Sequence, residues 1–497
     1  MAIVPVADFA PDQAPYMNVN SPIAKNTAPR ADGADGPLKG QLELSNALAA
    51  QCRGGFTARD KNATAYMVAG TQTKLYVQSS LSWTDKSGIA YAVPTGGHWH
   101  FTQFGEQIIG TNYFDPIQTW TMGGAGNFAD LAAAAPKAKY IATIEPGFCM
   151  VGFYDGGTVT PNGVWWSAIN DATSWPTVGT LAATSAQSDN QELPGGGFIT
   201  GILPAIGGAN GVIFTERALY RVEYAGPPVI FAFREIDRSR GCVASNSLAQ
   251  VGPVAFFLSE DGFCAFDGTS VTQIGQGKVD RFFWAEVDST QLERVYATVD
   301  YDRKLVIWAY PTSSASNPNR WLIYSYSTNR WRYGDDAALT VEYMMPARTA
   351  GYTLDTLDTP LPGGPDGSGG FTVDSTLYTG GRRVLAAFNT SHKLVSFEGA
   401  NLAARIETGD ANADGRRIFV SGIRPLTDLA APAAFVGYRD TLDAAVSYGA
   451  ATTPGVDAVC PQRIDTRYAR ACVSISSSTT WTYYQGADVI FRPSGWR

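Results

Sequence analysis

The sequence predicts an all-β chain, a β-propeller of six or seven blades. Three observations predict it: a strand-turn-strand unit that recurs roughly every 35 to 60 residues, a composition rich in turn formers and aromatics, and almost no helical periodicity. The 497 residues include 52 Gly, 28 Pro and 12% aromatics, the material of many short strands joined by tight turns. A single four-stranded blade cannot bury both of its faces, so blades stack radially and leave only short edges. The competing expectation is a β-sandwich or a pair of them, with two fixed sheets, a turn about every 8 to 12 residues and no longer period.

Residues 1–60 read as an extended N-terminal arm laid over something else. Pro5, Pro11, Pro15, Pro22, Pro29 and Pro37 are interleaved with Asn, Asp and Gly, which holds the chain extended and breaks helices. Within it, LELSNALAA over 42–50 is expected to form a short helix. Residues 61–400 read as the propeller. Its units include Val68-Ala69-Gly70 running to Lys74-Leu75-Tyr76-Val77, Gly147–Tyr154, Gly211–Val222, Val254–Gly268, Lys304–Tyr310, Trp321–Tyr326 and Lys393–Phe397. Asp261-Gly262 and Asp267-Gly268 supply the positive-φ turns of tight hairpins. Residues 350–376 contain TLDTLDTPLPGGPDGSGG, too rich in Gly and Pro for a strand, and read as a mobile surface loop. Residues 401–497 read as a β-rich C-terminal segment closing or flanking the propeller. Near its end Arg463, Arg467, Arg470, Arg492 and Arg497 face Asp465 and Asp488, a basic tail that is either a solvated face or a docking surface for an acidic partner.

The balance of 37 Lys+Arg against 45 Asp+Glu, a net charge of -8, argues against tight nucleic-acid binding, which needs clustered basic residues. It suits loose contact, such as an acidic wall past which DNA slides. The charged fraction is only 16%, below the roughly 25% of an average domain, so much of the surface is expected to be covered in an assembly. Pro5 and Asp8 interrupt the first apolar residues, so no signal peptide is expected, and no run reaches the roughly 18 apolar residues of a membrane span. Cys52, Cys149, Cys242, Cys264, Cys460 and Cys472 form no CxxC pair and are expected to be buried free thiols of a chain folded in a reducing cytosol.

Motifs for chemistry are weak. His98-Trp99-His100 places two rings on one strand face, a possible metal pair, with no third ligand nearby. A Ser-His-Asp triad would have to use His98, His100 or His392, and no G-x-S-x-G elbow is present. Asp410-Ala411-Asn412-Ala413-Asp414-Gly415 matches the first half of a calcium loop, but Ser421 stands where the bidentate Glu is needed. Gly275-Gln276-Gly277-Lys278 lacks the Ser/Thr of a phosphate loop, since Val279 follows. Asp300/Asp302 and Glu260/Asp261 are the carboxylate pairs that a glycosidase reading would use. No catalytic, cofactor-binding or metal-ligating residue is assigned, and a non-enzymatic role without cofactor is expected.

Several stretches resemble the propeller-type tail nozzle, hub or packaged-DNA stabilisation proteins of short-tailed bacteriophages. One is Gly163–Thr177, with its W-S-x-x-x-D-x-x-x-W spacing from Trp166 to Trp175. Others are Leu219-Tyr220, Gly241-Cys242, Ser259-Glu260-Asp261-Gly262-Phe263 and Ile274-Gly275 with Asp280-Arg281. Gln462–Arg470, Gly486 and Phe491-Arg492-Pro493 complete the set, and Ala28–Gly33 is compatible. The resemblance touches most of the chain except the 350–376 loop and the region around 425–454. It implies a structural virion protein, a homo-oligomeric ring of typically six subunits below the head-to-tail adaptor, whose lumen passes and retains the genome. Adaptor, tail fibre or needle proteins and transiently contacted DNA are the implied partners, and the virion tail, assembled in the host cytoplasm, is the implied location. The rival expectation is a glycan-binding or glycan-cleaving propeller, for which the 12 tryptophans offer stacking surfaces.

Overall fold

The computed structural model describes all residues except 1, 15, 17–19, 80, 349–382, 413–415 and 496–497; the expected 350–376 loop therefore lies wholly outside the described residues. What is described is all-β, with two short α-helices, Leu181–Ala186 and Asp280–Glu286. No helix among the described residues is long and apolar enough to cross a membrane.

Six four-stranded antiparallel sheets, and four strands of a nine-stranded one, follow each other along the chain. They span residues 54–85, 100–130, 137–192, 199–237, 249–273, 296–334 and 341–396. The first strands of the first four sheets lie against one another in turn, as do those of the fifth, sixth and seventh, and Val341–Arg348 of the seventh touches Gly54–Arg59 of the first; the fourth and fifth sheets share an apolar cluster. The arrangement is compatible with a β-propeller.

Alternation explains why the sheets stack. In Leu305–Tyr310 every residue is buried. Leu305, Ile307 and Ala309 join the apolar cluster shared with the seventh sheet, while Val306, Trp308 and Tyr310 join the one shared with the fifth. A strand of period two buried on both faces reads as a continuous apolar run. The same holds around the circuit: seven apolar clusters each fill the space between two neighbouring sheets.

Two findings differ from the sequence reading. Residues 42–50 hold no helix: Leu42–Ala47 is a strand and forms the outer edge of the seventh sheet, with Ser396 opposite Leu42 and Lys393 opposite Ala47. Its partner lies some 350 residues away, and burial of Leu44 and Ser45 against that sheet overrides local propensity. The arm, in turn, is not merely laid on a surface. Ala2–Pro5 pairs with Tyr484–Gly495, and Ile23–Lys25 sits between Arg330–Gly334 and Ala404–Glu407.

The C-terminal strands form two sheets around one core that includes Ile406, Val420, Val436, Ala471 and Trp481. Inside it, Asp410 accepts from Arg470 Nε at 2.6 Å and from Arg439. Glu407 Oε1 accepts from Arg405 Nε at 2.8 Å. Arg470 therefore points into the protein and not out of a basic tail, and Arg492 lies over Phe419 with its guanidinium carbon 5.0 Å from the ring centre.

Candidate functional site

The histidine pair is placed by the loop that leads into His100–Phe104. Trp99 is the wedge of that loop: its ring packs where a β-carbon on Gly70 would lie 2.4 Å away, and its carbonyl 2.5 Å from one on Gly54. On either side of it His98 Nε2 lies 2.9 Å from Tyr296 Oη, and the His100 ring meets Tyr140 edge-on at 4.9 Å. Burial, followed by the charges of Arg294, Arg53 and Lys139, holds His98 down at about 4. Burial, then His98 and Lys139, holds His100 at about 3. Both imidazoles are neutral near pH 7, and the phenols beside them are pushed far up by burial. The pair is thus a packing and hydrogen-bonding element of the second, third and sixth sheets.

The other sequence candidates are likewise structural. His392 Nδ1 bonds Glu342 at 2.9 Å, and Glu342 also accepts from Cys52 N at 3.4 Å. Asp300 accepts the N–H groups of Asp302 and Arg303, both at 3.1 Å, and so holds its own turn. Asp261 lies 3.8 Å from Arg240 Nε. Asp410, first residue of the stretch that half-matches a calcium loop, is held by two arginines, and residues 413–415 of that stretch are outside the described set. Among the described residues no group of three or more His, Cys, Asp and Glu could hold a metal. All six cysteines are free and buried; burial raises Cys149 and Cys264 to about 12 and Cys242 to about 11.

What the fold does build is a junction where the arm joins the sheets. The helix Asp280–Glu286 has no side-chain cap from its own N-cap residue. The arm supplies one: Asp12 accepts from Arg281 N at 2.8 Å and Phe282 N at 2.9 Å, satisfying two of the orphan donors of a helix start. Four residues earlier Asp8 accepts from Trp331 N at 2.5 Å and pairs with Lys278 Nζ at 2.9 Å. Between them Phe9, fully buried, stands edge-on to Phe282 at 5.3 Å and leans on Tyr333 at 4.7 Å. Lys278, the lysine of the rejected phosphate loop, is thus an arm clamp.

Asp280 sits beneath this cap. Its Oδ1 accepts from Phe263 N at 3.1 Å, and two glycines close over it: a β-carbon on Gly262 would lie 2.2 Å from the carboxyl carbon, and one on Gly275 2.0 Å from Oδ1. Burial raises the carboxyl to about 6, against the Phe263 N–H and with help from Asp12 and Asp261. The Glu260-Asp261-Gly262-Phe263 and Gly275…Asp280-Arg281 stretches, separate in sequence, are therefore one contact.

Further along the arm, Asp35 and Arg332 form a bidentate pair at 2.6 and 2.8 Å with both side chains at 0% exposure. Asn26, in the left-handed region at φ 56, accepts from Asp335 N at 2.8 Å and donates to Ala403 O at 2.8 Å. It thereby ties the sixth sheet to the C-terminal sandwich. None of these arm residues carries a local signal, since each answers to a partner roughly 270 to 380 positions away. No protein-family model and no curated protein matches the chain.

Proposed function

We infer that the seven sheets are the blades of a β-propeller and that the chain is a structural subunit of a short-tailed bacteriophage tail. In this reading copies of it form a ring-shaped nozzle or hub below the head-to-tail adaptor, line the DNA exit channel and help to retain the packaged genome. The observation that carries the reading is the convergence at Asp280. Stretches on which the resemblance rests meet there in one contact, Gly262 and Gly275 against the carboxylate and Phe263 N–H upon it. The Trp166–Trp175 stretch has a comparable structural reason. Ser167 Oγ accepts from Cys149 N at 3.1 Å, Asp171 accepts from Thr173 N at 2.9 Å, and Trp175 Nε1 donates to Ala172 O at 2.7 Å, so the motif folds back on the third sheet.

The junction supports a mechanical role rather than a catalytic one. One arm is woven through the sheets and the sandwich, which suits a subunit that must resist the force of confined DNA. The net charge of -8 suits a wall past which DNA slides without adhering.

A second reading, a glycan-binding propeller, is favoured by one cluster. Phe114 and Phe198 are 44% and 51% exposed, and Tyr113 and Phe153 join them through edge-on contacts at 5.4, 5.4 and 6.0 Å. Electron microscopy of the purified protein separates the two. Rings with a central channel, and the same protein in isolated virion tails, are the expected result. A strict monomer of 53.1 kDa, absent from virions, overturns the tail reading, and a positive glycan array with that monomer replaces it with the second.

A further inference from the structure

Three parts of the chain meet around one open cavity of about 730 Å³. The arm lines it from Ala28 to Lys39, the first hairpin of the sixth sheet through Asp302-Arg303-Lys304, and the C-terminal sandwich through the 478–482 loop, with the link 399–401 between them. Hydrogen bonds fix these walls to one another. Gly40 N donates to Ala400 O and Ser478 N to Asn401 O, both at 2.8 Å. Asn401 Nδ2 donates to Thr479 O at 2.9 Å, and Arg30 Nη1 to Thr482 O at 2.8 Å. A cavity of this size, at a boundary between two folded parts, is of the kind that holds small molecules.

The chain carries a net charge of -8, yet the ionisable residues of this lining are Arg30, Lys39, Arg303 and Lys304 against Asp302. Two of the cations are answered, Arg30 by Asp32 at 3.0 Å and Arg303 by Asp300 at 3.5 Å. Asp302 has its own partner. Lys39, half-buried, and Lys304, exposed, have no ion pair and no side-chain hydrogen bond among the described residues.

Lys304 also stands where turn chemistry does not ask for lysine. It closes the hairpin between Tyr296–Asp300 and Leu305–Tyr310 at φ 58, a left-handed backbone that suits Gly or Asn better than a long side chain. The next hairpin of the same sheet has Asn329 in that place, at φ 55. The lysine is therefore explained by its charge and not by the turn. Pro29, Pro37 and Trp481 give the same cavity an apolar wall, with Trp481 rooted in the sandwich core. An inorganic ion would leave that wall and most of the volume unused. We propose that the cavity binds an amphipathic organic anion, whose carboxylate or phosphate head is answered by Lys39 and Lys304 and whose apolar body packs on the proline and tryptophan wall. The site does not depend on the tail role.

The test uses the full chain. Phenyl phosphate and benzoate are each titrated calorimetrically at constant ionic strength, beside inorganic phosphate as the head alone and benzyl alcohol as the body alone. At least one aryl anion is expected to bind saturably and more tightly than either fragment, and the tighter of the two identifies the head. Lys39→Gln and Lys304→Gln are each expected to weaken binding about threefold, and together about tenfold, as loss of partly exposed ion pairs does. The exposed Lys61→Gln, on the first sheet, leaves it unchanged. Ala400→Phe, at an exposed position of the lining, keeps every charge, narrows the cavity and is expected to abolish binding. Absence of saturable binding of both aryl anions to the unmodified chain, a measurement that no misfolded variant can obscure, overturns the proposal. So does binding that the double lysine variant and Ala400→Phe both leave unchanged, and so does inorganic phosphate binding as tightly as the aryl anions.

Discussion

Asp280 joins the burial, the backbone geometry and the titration of this protein in one side chain. Its folded value of about 6 stands above the ordinary 3.8, so the fold favours the neutral acid. The stabilisation this gives is fully present below pH 4 and is lost as the pH rises through about 6. His98 and His100 act in the opposite sense. Their folded values of about 4 and about 3 lie below the ordinary 6.5, so their contribution is present above pH 6.5 and declines as the pH falls. The raw stability profile mixes both, and Asp280→Asn isolates the first by keeping the Oδ1 acceptor for Phe263 N–H while removing the charge. Between pH 4 and pH 7 the parent chain is expected to lose about 2 kcal/mol relative to this variant, measured as the difference in denaturant unfolding free energy across the range. Parallel pH profiles for the two chains contradict it. Burial of Cys149 and Cys264 was legible in the sequence, because both stand in apolar runs. Asp280 was legible only as part of a motif; that Asp12 lies over it, 268 positions earlier in the chain, has no local trace.

Legibility at the level of elements follows the same division. Leu305–Tyr310 could be read as a strand because its alternation is complete and its ends are marked, and the hairpin at Asp261-Gly262 because that turn demands a residue with positive φ, here Gly262 at 120. Leu42–Ala47 could not. Its leucines at 42, 44 and 48 fit either period, and what decides between them is the vacant edge of a sheet whose other strands begin at Val341. How sheets interlock was equally hidden, because it rests on glycines that serve as sockets. Trp99 fills the space between the first two sheets only because Gly54 and Gly70 have no side chains. Gly70→Ala would put its β-carbon 2.4 Å from the indole, and neither the rigid ring nor the strand can yield without disturbing its own packing. Overpacking of this kind is expected to destabilise by about 1–3 kcal/mol, read from the shift in urea midpoint. Gly126→Ala, with nothing within 4 Å of the added carbon, is the matched control and is expected to shift little. Equal midpoints for the two variants show that the socket has no energetic importance.

At the scale of the whole molecule, the question is what makes sheets and sandwich one body. Composition foretold many strands, and the recurring unit foretold their stacking, but neither says that residues 20–37 run between the two parts. Asn26 concentrates that coupling. It is fully buried, and besides its bonds to Asp335 N and Ala403 O its own N–H donates to Tyr333 O at 2.8 Å. Its left-handed backbone suits asparagine better than any other residue with a β-carbon. In Asn26→Ala the backbone N–H bond persists while Asp335 N and Ala403 O, both only partly shielded from water, lose their partner, at about 0.5–1.5 kcal/mol for each, and the backbone adds its own strain. The loss falls on the link and not on either core, because the apolar clusters of the sandwich and of the sheets contain no part of the Asn26 side chain. Scanning calorimetry is therefore expected to show one cooperative transition for the parent chain and, for Asn26→Ala, a sandwich transition that separates to lower temperature ahead of the sheets. Limited proteolysis below the main transition should then cut first within 401–497. A single transition that merely moves down as a whole would mean that coupling is carried by the Asp35–Arg332 pair and the Ile23–Lys25 ladder without Asn26, and would return this residue to the ordinary role of a turn former.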